Sequence, residues 1–347
     1  MSGGVDSSVV AALLVKAGYD VIGISMKLWP KEFCGRQKAK SCCSTKDIAD
    51  ARFVAGQLGI PFYAIDLSKE FKKEVMDYFC KEYTKGRTPN PCIVCNSKIK
   101  FGRLFSKAKE LKADYIATGH YANIGYDRKT KRFILRQGKD KVKDQSYVLF
   151  GLTQQQLKST LFPLGKYLKS EVREISRSLE LRTAEKKESQ EICFIWNNDY
   201  ADFLKKQYGI KPKPGEIVTR EGKILGKHPG FMFFTIGQRK GLGLGGNKRP
   251  LYVTDIDAKR NRLTVGPKED LRKNVLLADN LNWIGRPTMT VKAKIRYNHL
   301  FADATLVPLR KWNKVKVVFK EPQSAITPGQ AVVFYKGDEV IGGGWIR

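Results

Sequence analysis

The sequence has little histidine, no long apolar run and no Walker A loop. Its 347 residues include only three histidines, His120, His228 and His299, which are too scattered to predict a histidine-based metal site. No apolar run approaches the ~20 residues of a membrane span, so no membrane partner is expected. Lys16 and Asp20 come too early for a secretory signal peptide, and a cytoplasmic protein is predicted. The pattern G-x-x-x-x-G-K-[ST] is absent, which excludes a Walker-type nucleotide site.

Acidic residues are scarce relative to basic ones. The chain has 34 Asp and Glu against 64 Lys and Arg, a net charge of +30, and the basic residues are spread along its whole length. Such an excess favours a large polyanionic partner, nucleic acid before a membrane surface. The alternative is a generally lysine-rich proteome. The length predicts two or three domains rather than one.

Cysteine is present in an odd number, seven, which favours reduced thiols, a metal centre or redox chemistry over a disulfide scaffold. Cys92 and Cys95 form a C-x-x-C stiffened by two prolines, and a helix predicted to begin near Ser97 would favour the thiolate. Zinc would need two further ligands, for which the candidates are Cys34, Cys42 and Cys43. A pair that merely packs is the other alternative. Cys80 has no predicted role.

Residues 2–8, Ser-Gly-Gly-Val-Asp-Ser-Ser, precede an apolar segment with the character of a helix. Two glycines allow backbone amides to point into one concavity, and a helix N-terminus attracts phosphate oxygens. The segment is similar to the pyrophosphate loop (PP-loop) of ATP pyrophosphatases, which split ATP into AMP and pyrophosphate to activate a carbonyl oxygen. The simpler alternative is a capped helix after a Gly-Gly turn.

Such a loop normally follows a buried strand, yet here only Met1 precedes it. Either the first strand was lost through a misplaced start codon, or the fold does without it. A central parallel strand contributes ladder bonds on both sides. We therefore expect a version extended by about ten apolar and basic residues to melt at a higher temperature.

The first half alternates strand and helix, which predicts an α/β fold with a parallel sheet and ligands at the carboxyl ends of its strands. The predicted strands are 19–26, 61–65 and 115–117, and the predicted helices are 44–58, opened by a Ser44–Asp47 capping box, 71–83 and 98–111. A hairpin is expected at 122–146. Gly119 follows a strand end, where a glycine allows close approach of a nucleotide.

The second half is rich in β patterns. Pro212, Pro214 and Gly215 mark a linker, and strict alternation from Thr288 onward predicts a small closed β-barrel. The predicted domains are an α/β catalytic domain at 1–207, a central β-rich domain at 208–279 and a C-terminal β-barrel at 280–347. Gly241, Gly243 and Gly246 match G-x-G-x-x-G, but Arg249-Pro250 follows where a helix is required, so no dinucleotide site is predicted.

Seven motifs occur in order along the chain. They are SGGVDSS at 2–8, GRTPNPxxxCN at 86–96, ATGHY at 117–121, KDQSY at 143–147, SQEICF at 189–194, FTIGQRKGL at 234–242 and TPGQ at 327–330. With this set the chain resembles the tRNA-specific 2-thiouridylase family over essentially its whole length. In that family ATP adenylates the C2 oxygen of a wobble uridine, and a persulfide sulfur replaces it.

The resemblance implies sites for ATP and for tRNA. ATP, with Mg²⁺ organised by Asp6, would bind Met1, Ser2, Gly3, Gly4, Val5, Asp6, Ser7, Met26 and Gly119. The target base would meet Asn90, Pro91 and Cys92 with His120 beside it, and further tRNA contacts would come from Lys143, Asp144, Gln145, Arg296, Tyr297 and Gln330. The implied partners are the anticodon stem-loop bearing the wobble uridine and a persulfide donor such as a cysteine desulfurase or a relay protein.

The resemblance also implies that Cys193 carries the persulfide and that Cys95 is its partner thiol, closing a transient disulfide. The family commonly has Asp where this chain has Cys92. Three thiolates at 92, 95 and 193 would suit a [4Fe–4S] cluster in which one iron has no protein ligand. Two hypotheses are therefore open: a labile cluster of this kind, and persulfide transfer without a cluster.

Two other functions remain open. Another PP-loop pyrophosphatase, amide-forming or tRNA lysidine-forming, would not need Cys95 and Cys193. An RNA-binding protein with a non-functional nucleotide site would release no pyrophosphate from ATP.

Overall fold

The computed structural model describes residues 1–30, 45–187, 192–195, 199–245, 249–309 and 312–347. The chain divides into two compact units. The first comprises Met1–Met76, Cys92–Asn198 and Asp338–Val340, and the second comprises Asp77–Pro91, Asp199–Gly337 and Ile341–Arg347. Among the described residues, every helix is too short or too polar to span a bilayer.

Most helices belong to the first half of the chain. The described α-helices are α1 Val5–Lys16, α2 Thr45–Gln57, α3 Ser68–Phe71, α4 Asp77–Tyr83, α5 Pro91–Val94, α6 Leu104–Glu110, α7 Gln154–Lys158, α8 Lys169–Ser178 and α9 Tyr200–Asp202. π-helical segments span Lys72–Met76, Cys95–Arg103 and Phe203–Gln207, and 3₁₀ turns span Ser146–Leu149, Pro163–Lys166, Phe231–Phe233 and Lys268–Leu271.

Most strands of the first half are short, and the longest strands belong to the second half. The described strands are β1 Gly23–Lys27, β2 Phe62–Asp66, β3 Ile116–Ala117, β4 Ala122–Asp127, β5 Arg132–Gln137, β6 Thr160–Leu161, β7 Gly215–Val218, β8 Ile224–His228, β9 Tyr252–Asp257, β10 Arg262–Gly266, β11 Arg272–Trp283, β12 Thr290–Lys294, β13 Ala302–Leu309, β14 Lys314–Ser324, β15 Ala331–Lys336 and β16 Glu339–Ile346.

The first unit is an α/β assembly, as the sequence predicts. Strand β1 pairs in parallel with β2, and β3 pairs in parallel with β6. The apolar face of α1 packs into one core cluster that includes Val9, Val10 and, from α8, Val172. The predicted hairpin at 122–146 is confirmed by the antiparallel pair β4–β5.

The second unit contains a four-stranded sheet and a closed barrel. The sheet has the order β8-β7-β10-β9. The barrel has the order β11-β14-β13-β12-β15-β16 and closes where β11 pairs with β16. Val291, Ala293 and Ile295 are buried in its interior, while Lys292 is exposed, so the alternation predicted from Thr288 onward is confirmed.

Two predicted boundaries are wrong. The first strand begins at Gly23 rather than Tyr19, and Tyr19 and Ile22 are exposed. The helix predicted to begin near Ser97 begins at Pro91. Proline is favoured at the first position of a helix, because the N–H that it lacks would have no hydrogen-bond partner within the helix. Ser44, and with it the predicted capping box, lies outside the described residues, as do Cys34, Cys42, Cys43 and Gly246.

Candidate active site

The glycine loop leads directly into α1. Gly4 is the N-cap residue with extended backbone angles, and within the described chain no side chain caps this helix. Ser7 and Ser8 instead donate their hydroxyls to the Gly4 carbonyl at 3.0 Å. The first-turn amides and the positive end of the helix dipole lie at the end of the glycine loop, and the predicted role of this loop in binding phosphate stays a prediction.

Gly3 and Gly119 are glycines because the backbone is crowded at both positions. Gly3 has a φ of +69°, and a Cβ there would lie 2.1 Å from the carbonyl oxygen of Asp47. A Cβ on Gly119 would lie 2.9 Å from the Cβ of Asp6 and 3.4 Å from the Ser7 nitrogen. The loop is thus held between the start of α2 and the end of β3, which brings two predicted ATP-binding segments together.

Met1 connects the same loop to β1. Its ammonium donates to the Ile24 carbonyl, and the Ser25 hydroxyl donates to the Met1 carbonyl. Met26 is the next residue of this strand. The predicted ATP-binding positions Met1 and Met26 therefore belong to neighbouring segments of one unit.

Asp6 is engaged by two side chains that sequence reasoning missed. Its Oδ1 atom accepts from Lys169 Nζ at 2.6 Å and from the Tyr121 hydroxyl at 2.8 Å. Lys169 is only 8% exposed, and its ammonium also lies over the Tyr121 ring at 5.6 Å. One oxygen of Asp6, Oδ1, thus accepts hydrogen bonds from two protein donors.

A second lysine, Lys186, joins the glycine loop to α2. Lys186 Nζ donates to the Gly3 carbonyl at 2.8 Å, to Asp50 Oδ2 at 2.8 Å and to Asp47. Burial lowers the pKa of Lys186, but the hydrogen bonds to Asp47 and Asp50 outweigh it and raise the pKa above its ordinary value. Lys186 therefore stays charged and ties the loop to two buried carboxylates. No motif marked it among the many lysines of the sequence.

His120 is a buried, neutral side chain. Its Nδ1 atom lies 2.8 Å from the Thr118 hydroxyl, and its ring packs against Phe101 and Phe162. Burial, and then the nearby charge of Lys100, hold the pKa of His120 well below its usual range. The predicted position beside a target base stays a prediction.

The Lys143-Asp144-Gln145 segment is largely turned inward. Asp144 is buried and accepts from the Gly138 amide at 3.0 Å and the Ser146 hydroxyl at 2.8 Å. Gln145 exchanges hydrogen bonds with the backbone of Tyr121. Lys143 is half-buried. Two of the three side chains thus hold the turn, and their predicted contacts with tRNA stay predictions.

The two cysteines predicted to carry the chemistry are both half-buried. The residue after each cysteine is buried. Asn96 donates to the Val148 carbonyl at 3.2 Å. The Phe194 ring packs against the Phe71 ring with 5.8 Å between the ring centres. Cys95 and Cys193 are therefore both half-buried and belong to the same unit.

Cys92 differs, since its side chain is exposed in α5. Over the ranges the structure describes, no three His, Cys, Asp or Glu side chains lie close enough together to hold a metal ion. The structure therefore gives no support for the hypothesised cluster on Cys92, Cys95 and Cys193, which stays a hypothesis. It equally gives no support for zinc, although Cys34, Cys42 and Cys43 lie outside the described residues. Cys80 is buried.

In the second unit, the predicted tRNA residues lie on the barrel and on the loop before Cys92. Arg296 is exposed and donates to the Ser324 carbonyl at 3.3 Å, and the Tyr297 ring lies below Lys294. Gln330 donates to the carbonyls of Thr88 and Pro89. Asn90 is half-buried and Pro91 is buried.

Family models match three successive parts of the chain. They are described as tRNA methyl transferase HUP domain over residues 1–197, tRNA methyl transferase PRC-barrel domain over 201–267 and aminomethyltransferase beta-barrel domain over 273–346. The predicted fold class, an α/β domain followed by a small β-rich domain and a barrel, is confirmed.

Curated relatives match over the full length. A protein named tRNA-specific 2-thiouridylase MnmA 2 from Thermoanaerobacter sp. is 53% identical, covering 100% of this chain and 96% of its own. Proteins named tRNA-specific 2-thiouridylase MnmA from Moorella thermoacetica and Clostridium acetobutylicum are 51% and 49% identical, each covering 100% of this chain and 98% of the other. An NMN synthetase structure from Francisella tularensis aligns with a TM-score of 0.33 and 17% identity over 61% of this chain and 76% of the other, too low to inform the fold.

Proposed function

The chain belongs to the tRNA-specific 2-thiouridylase family, and on that premise we propose that it uses ATP to replace the C2 oxygen of a tRNA wobble uridine with sulfur. One observation carries the proposal. A glycine loop at a helix N-terminus, held against Gly119, shares a compact unit with the half-buried thiols of Cys95 and Cys193.

The loop suits the first step. A uridine carbonyl is a poor electrophile, and transfer of AMP to its oxygen creates a good leaving group. In this step the C2 oxygen attacks the α-phosphorus of ATP, and pyrophosphate leaves. The first-turn amides of α1 bind the phosphate oxygens. The ammonium groups of Lys169 and Lys186 reduce the negative charge that the three nearby carboxylates would otherwise present to ATP.

The thiols suit the second step. A persulfide on Cys193 is a soft nucleophile, and its terminal sulfur attacks C2 while AMP departs with the original oxygen. The Cys95 thiolate then attacks the Sγ atom of Cys193. The sulfur–sulfur bond breaks, 2-thiouridine leaves and a Cys95–Cys193 disulfide forms. A thiol reductant and a persulfide donor return the enzyme to its starting state.

Mg²⁺ would accompany ATP, with Asp6 Oδ2 as the side-chain oxygen available for it. The proposed sulfur transfer needs no iron–sulfur cluster, and among the described residues no three side chains of the metal-binding types lie together. The tRNA would be held by the basic surface, including Arg296, and its affinity would fall with salt as counterions are released on binding. Extruding the wobble base costs a few kcal/mol, which this attraction offsets.

The test is incubation of the enzyme with unmodified tRNA, Mg-ATP and a persulfide donor, followed by mass spectrometry of nucleosides. We expect 2-thiouridine from the wild type and none without ATP. Cys193→Ala should abolish thiolation and still release pyrophosphate in the presence of tRNA, whereas an amide- or lysidine-forming enzyme would keep full activity. A methylated nucleoside instead of a thiolated one, as the domain descriptions would suggest, contradicts the proposal.

A further inference from the structure

The turn between β4 and β5, residues 127–132, carries four basic residues against one acidic residue, and we call it the basic turn. Its basic residues are Arg128, Lys129, Lys131 and Arg132, of which the first three are exposed. The acidic residue is Asp127. Its Oδ1 atom accepts from the Lys129 amide at 2.9 Å, and its Oδ2 atom accepts from the Thr130 hydroxyl at 2.6 Å. Both carboxylate oxygens of Asp127 therefore hold the backbone of the turn.

The turn between β9 and β10, residues 257–262, has the same backbone geometry, and we call it the comparison turn. In both turns the first residue is an aspartate that pairs across the strands with an arginine. In both, Oδ1 of the aspartate accepts from the amide two residues later, at 2.9 Å and at 3.0 Å. The fifth residue has a positive φ in each, +52° at Lys131 and +55° at Asn261. The two turns therefore differ in their side chains rather than in their backbone.

The charges of the two turns are balanced differently. In the comparison turn, Arg260 lies 3.9 Å from Asp257 Oδ2. Arg262 lies 2.8 Å from Glu216 Oε2. With every described residue considered, none of the three exposed side chains of the basic turn forms an ion pair. The basic turn therefore keeps an exposed positive charge that its one carboxylate offsets only in part.

The basic turn is held on a fixed base. Gln154 in α7 binds the backbone of Phe133 in both directions, since it accepts from the amide at 2.8 Å and donates to the carbonyl at 2.9 Å. Tyr126 lies opposite Phe133 in the hairpin, with 5.0 Å between the ring centres. An element that is already ordered loses little conformational freedom when it binds a partner.

Strand β4 separates the basic turn from the glycine loop. Tyr121, which donates to Asp6 in α1, immediately precedes β4. The strand has six residues. A strand rises about 3.4 Å per residue, so the turn lies about 20 Å along the strand from Tyr121. A group bound at the basic turn is therefore well separated from a nucleotide bound at the glycine loop.

We propose that the basic turn binds the phosphodiester backbone of tRNA at a distance from the nucleotide that is modified. This inference rests on the proposed function, which supplies tRNA as the substrate. Arg and Lys side chains bind phosphates without reading the base sequence, and each such contact releases counterions. The turn therefore contributes affinity and orients the RNA, but it takes no part in the reaction at the base.

The test compares Arg128→Gln/Lys129→Gln with Lys259→Gln/Arg260→Gln, which removes the same number of charges from the comparison turn. The Kd for unmodified tRNA is measured without ATP at several salt concentrations. Thiolation is measured at saturating tRNA with Mg-ATP and a persulfide donor, and melting temperatures confirm folding. Lys131→Gln is the single change to use if the double variant does not fold.

We expect Arg128→Gln/Lys129→Gln to raise the Kd for tRNA by about tenfold. The slope of log Kd against log salt should fall by about one to two, because two phosphate contacts are lost, and Lys131→Gln should lower it by about one. The kcat should stay within about twofold of the wild type, since a contact made equally before and during the reaction affects binding alone. The variant of the comparison turn should change the Kd by less than about twofold.

Equal effects of the two double variants would overturn the proposal, because they would reflect only the net charge of the protein. An unchanged Kd for tRNA in Arg128→Gln/Lys129→Gln would also overturn it. If sulfur transfer from the donor were slowed at that unchanged Kd, the basic turn would instead bind an acidic surface of the donor protein. A wild type that binds tRNA but forms no 2-thiouridine would contradict the proposed function alone, because the Kd is measured without turnover.

Discussion

The ammonium of Lys169 lies 2.6 Å from Oδ1 of Asp6, in the first turn of the helix that follows the glycine loop. Lys169 is the more buried partner, with 10% of its side chain exposed against 33% for Asp6. A carboxylate at a phosphate site would repel ATP unless a cation lay beside it. The pair therefore keeps the loop near neutrality while leaving one oxygen of Asp6 accessible.

Lys169→Met should weaken ATP binding by about 10- to 100-fold, which corresponds to the free energy of one hydrogen bond to a charged group. The physical reason is repulsion between unpaired Asp6 and the phosphates. The double variant Lys169→Met/Asp6→Asn should bind ATP more tightly than Lys169→Met, because the repelling charge is gone. Titration calorimetry measures both. Equal affinities of single and double variants would argue against a charge-balancing role.

Gly3 and Gly4 should respond differently to alanine. Gly3→Ala places a Cβ 2.1 Å from the Asp47 carbonyl oxygen at a φ of +69°, so we expect a loss of about 2–3 kcal/mol in the free energy of unfolding. Gly4 has a φ of −101°, and the nearest atom to its Cβ would be Ser2 Oγ at 3.6 Å. Gly4→Ala should lower the free energy of unfolding by about 1 kcal/mol. Denaturant unfolding compares them, and equal losses would contradict the packing of the loop against α2.

Lys186 and Lys187 provide a matched pair of adjacent lysines. Lys186→Met leaves Asp47 and Asp50 without their shared ammonium, and we expect the free energy of unfolding to fall by about 3 kcal/mol. Lys187 is exposed, and Lys187→Met should stay within about 0.5 kcal/mol of the wild type. A similar small effect for both, measured by urea unfolding, would show that the bridge contributes nothing to stability.

His299 should make stability depend on pH. Burial and then the charge of Arg296, with a smaller contribution from Lys294, lower the pKa of His299 from 6.5 to about 4. The folded state stays neutral there while the unfolded chain takes up a proton. His299 therefore does not change the free energy of unfolding above pH 6.5. As the pH falls from 6.5 towards about 4, His299 lowers the free energy of unfolding.

The measurement is the melting temperature across that range for the wild type and His299→Gln. The melting temperature of the variant should decline less steeply as the pH falls. The difference from the wild type should be modest, because the His299 side chain is only half-buried and solvent screens its charge. Parallel curves would mean that His299 titrates normally in the folded protein.

Local sequence patterns predicted much of the fold. A strand or helix that buries one face repeats apolar residues at a short, regular spacing, and this spacing can be read from the sequence. The alternation around Val291 and Ala293 and the glycine loop before α1 are examples. The cysteine segment at 92–95 was expected in a loop, since its prolines suggested one, yet Pro91 begins a helix. Lys169 and Lys186 could not be found from the sequence, because their partners lie more than a hundred residues away and any of many lysines could have filled the role.

The bond between Gln330 and Thr88 joins residues 242 positions apart. During synthesis, Thr88 leaves the ribosome long before Gln330 is made. The Thr88 and Pro89 carbonyls would therefore gain their hydrogen-bond donor only after most of the barrel has been synthesised.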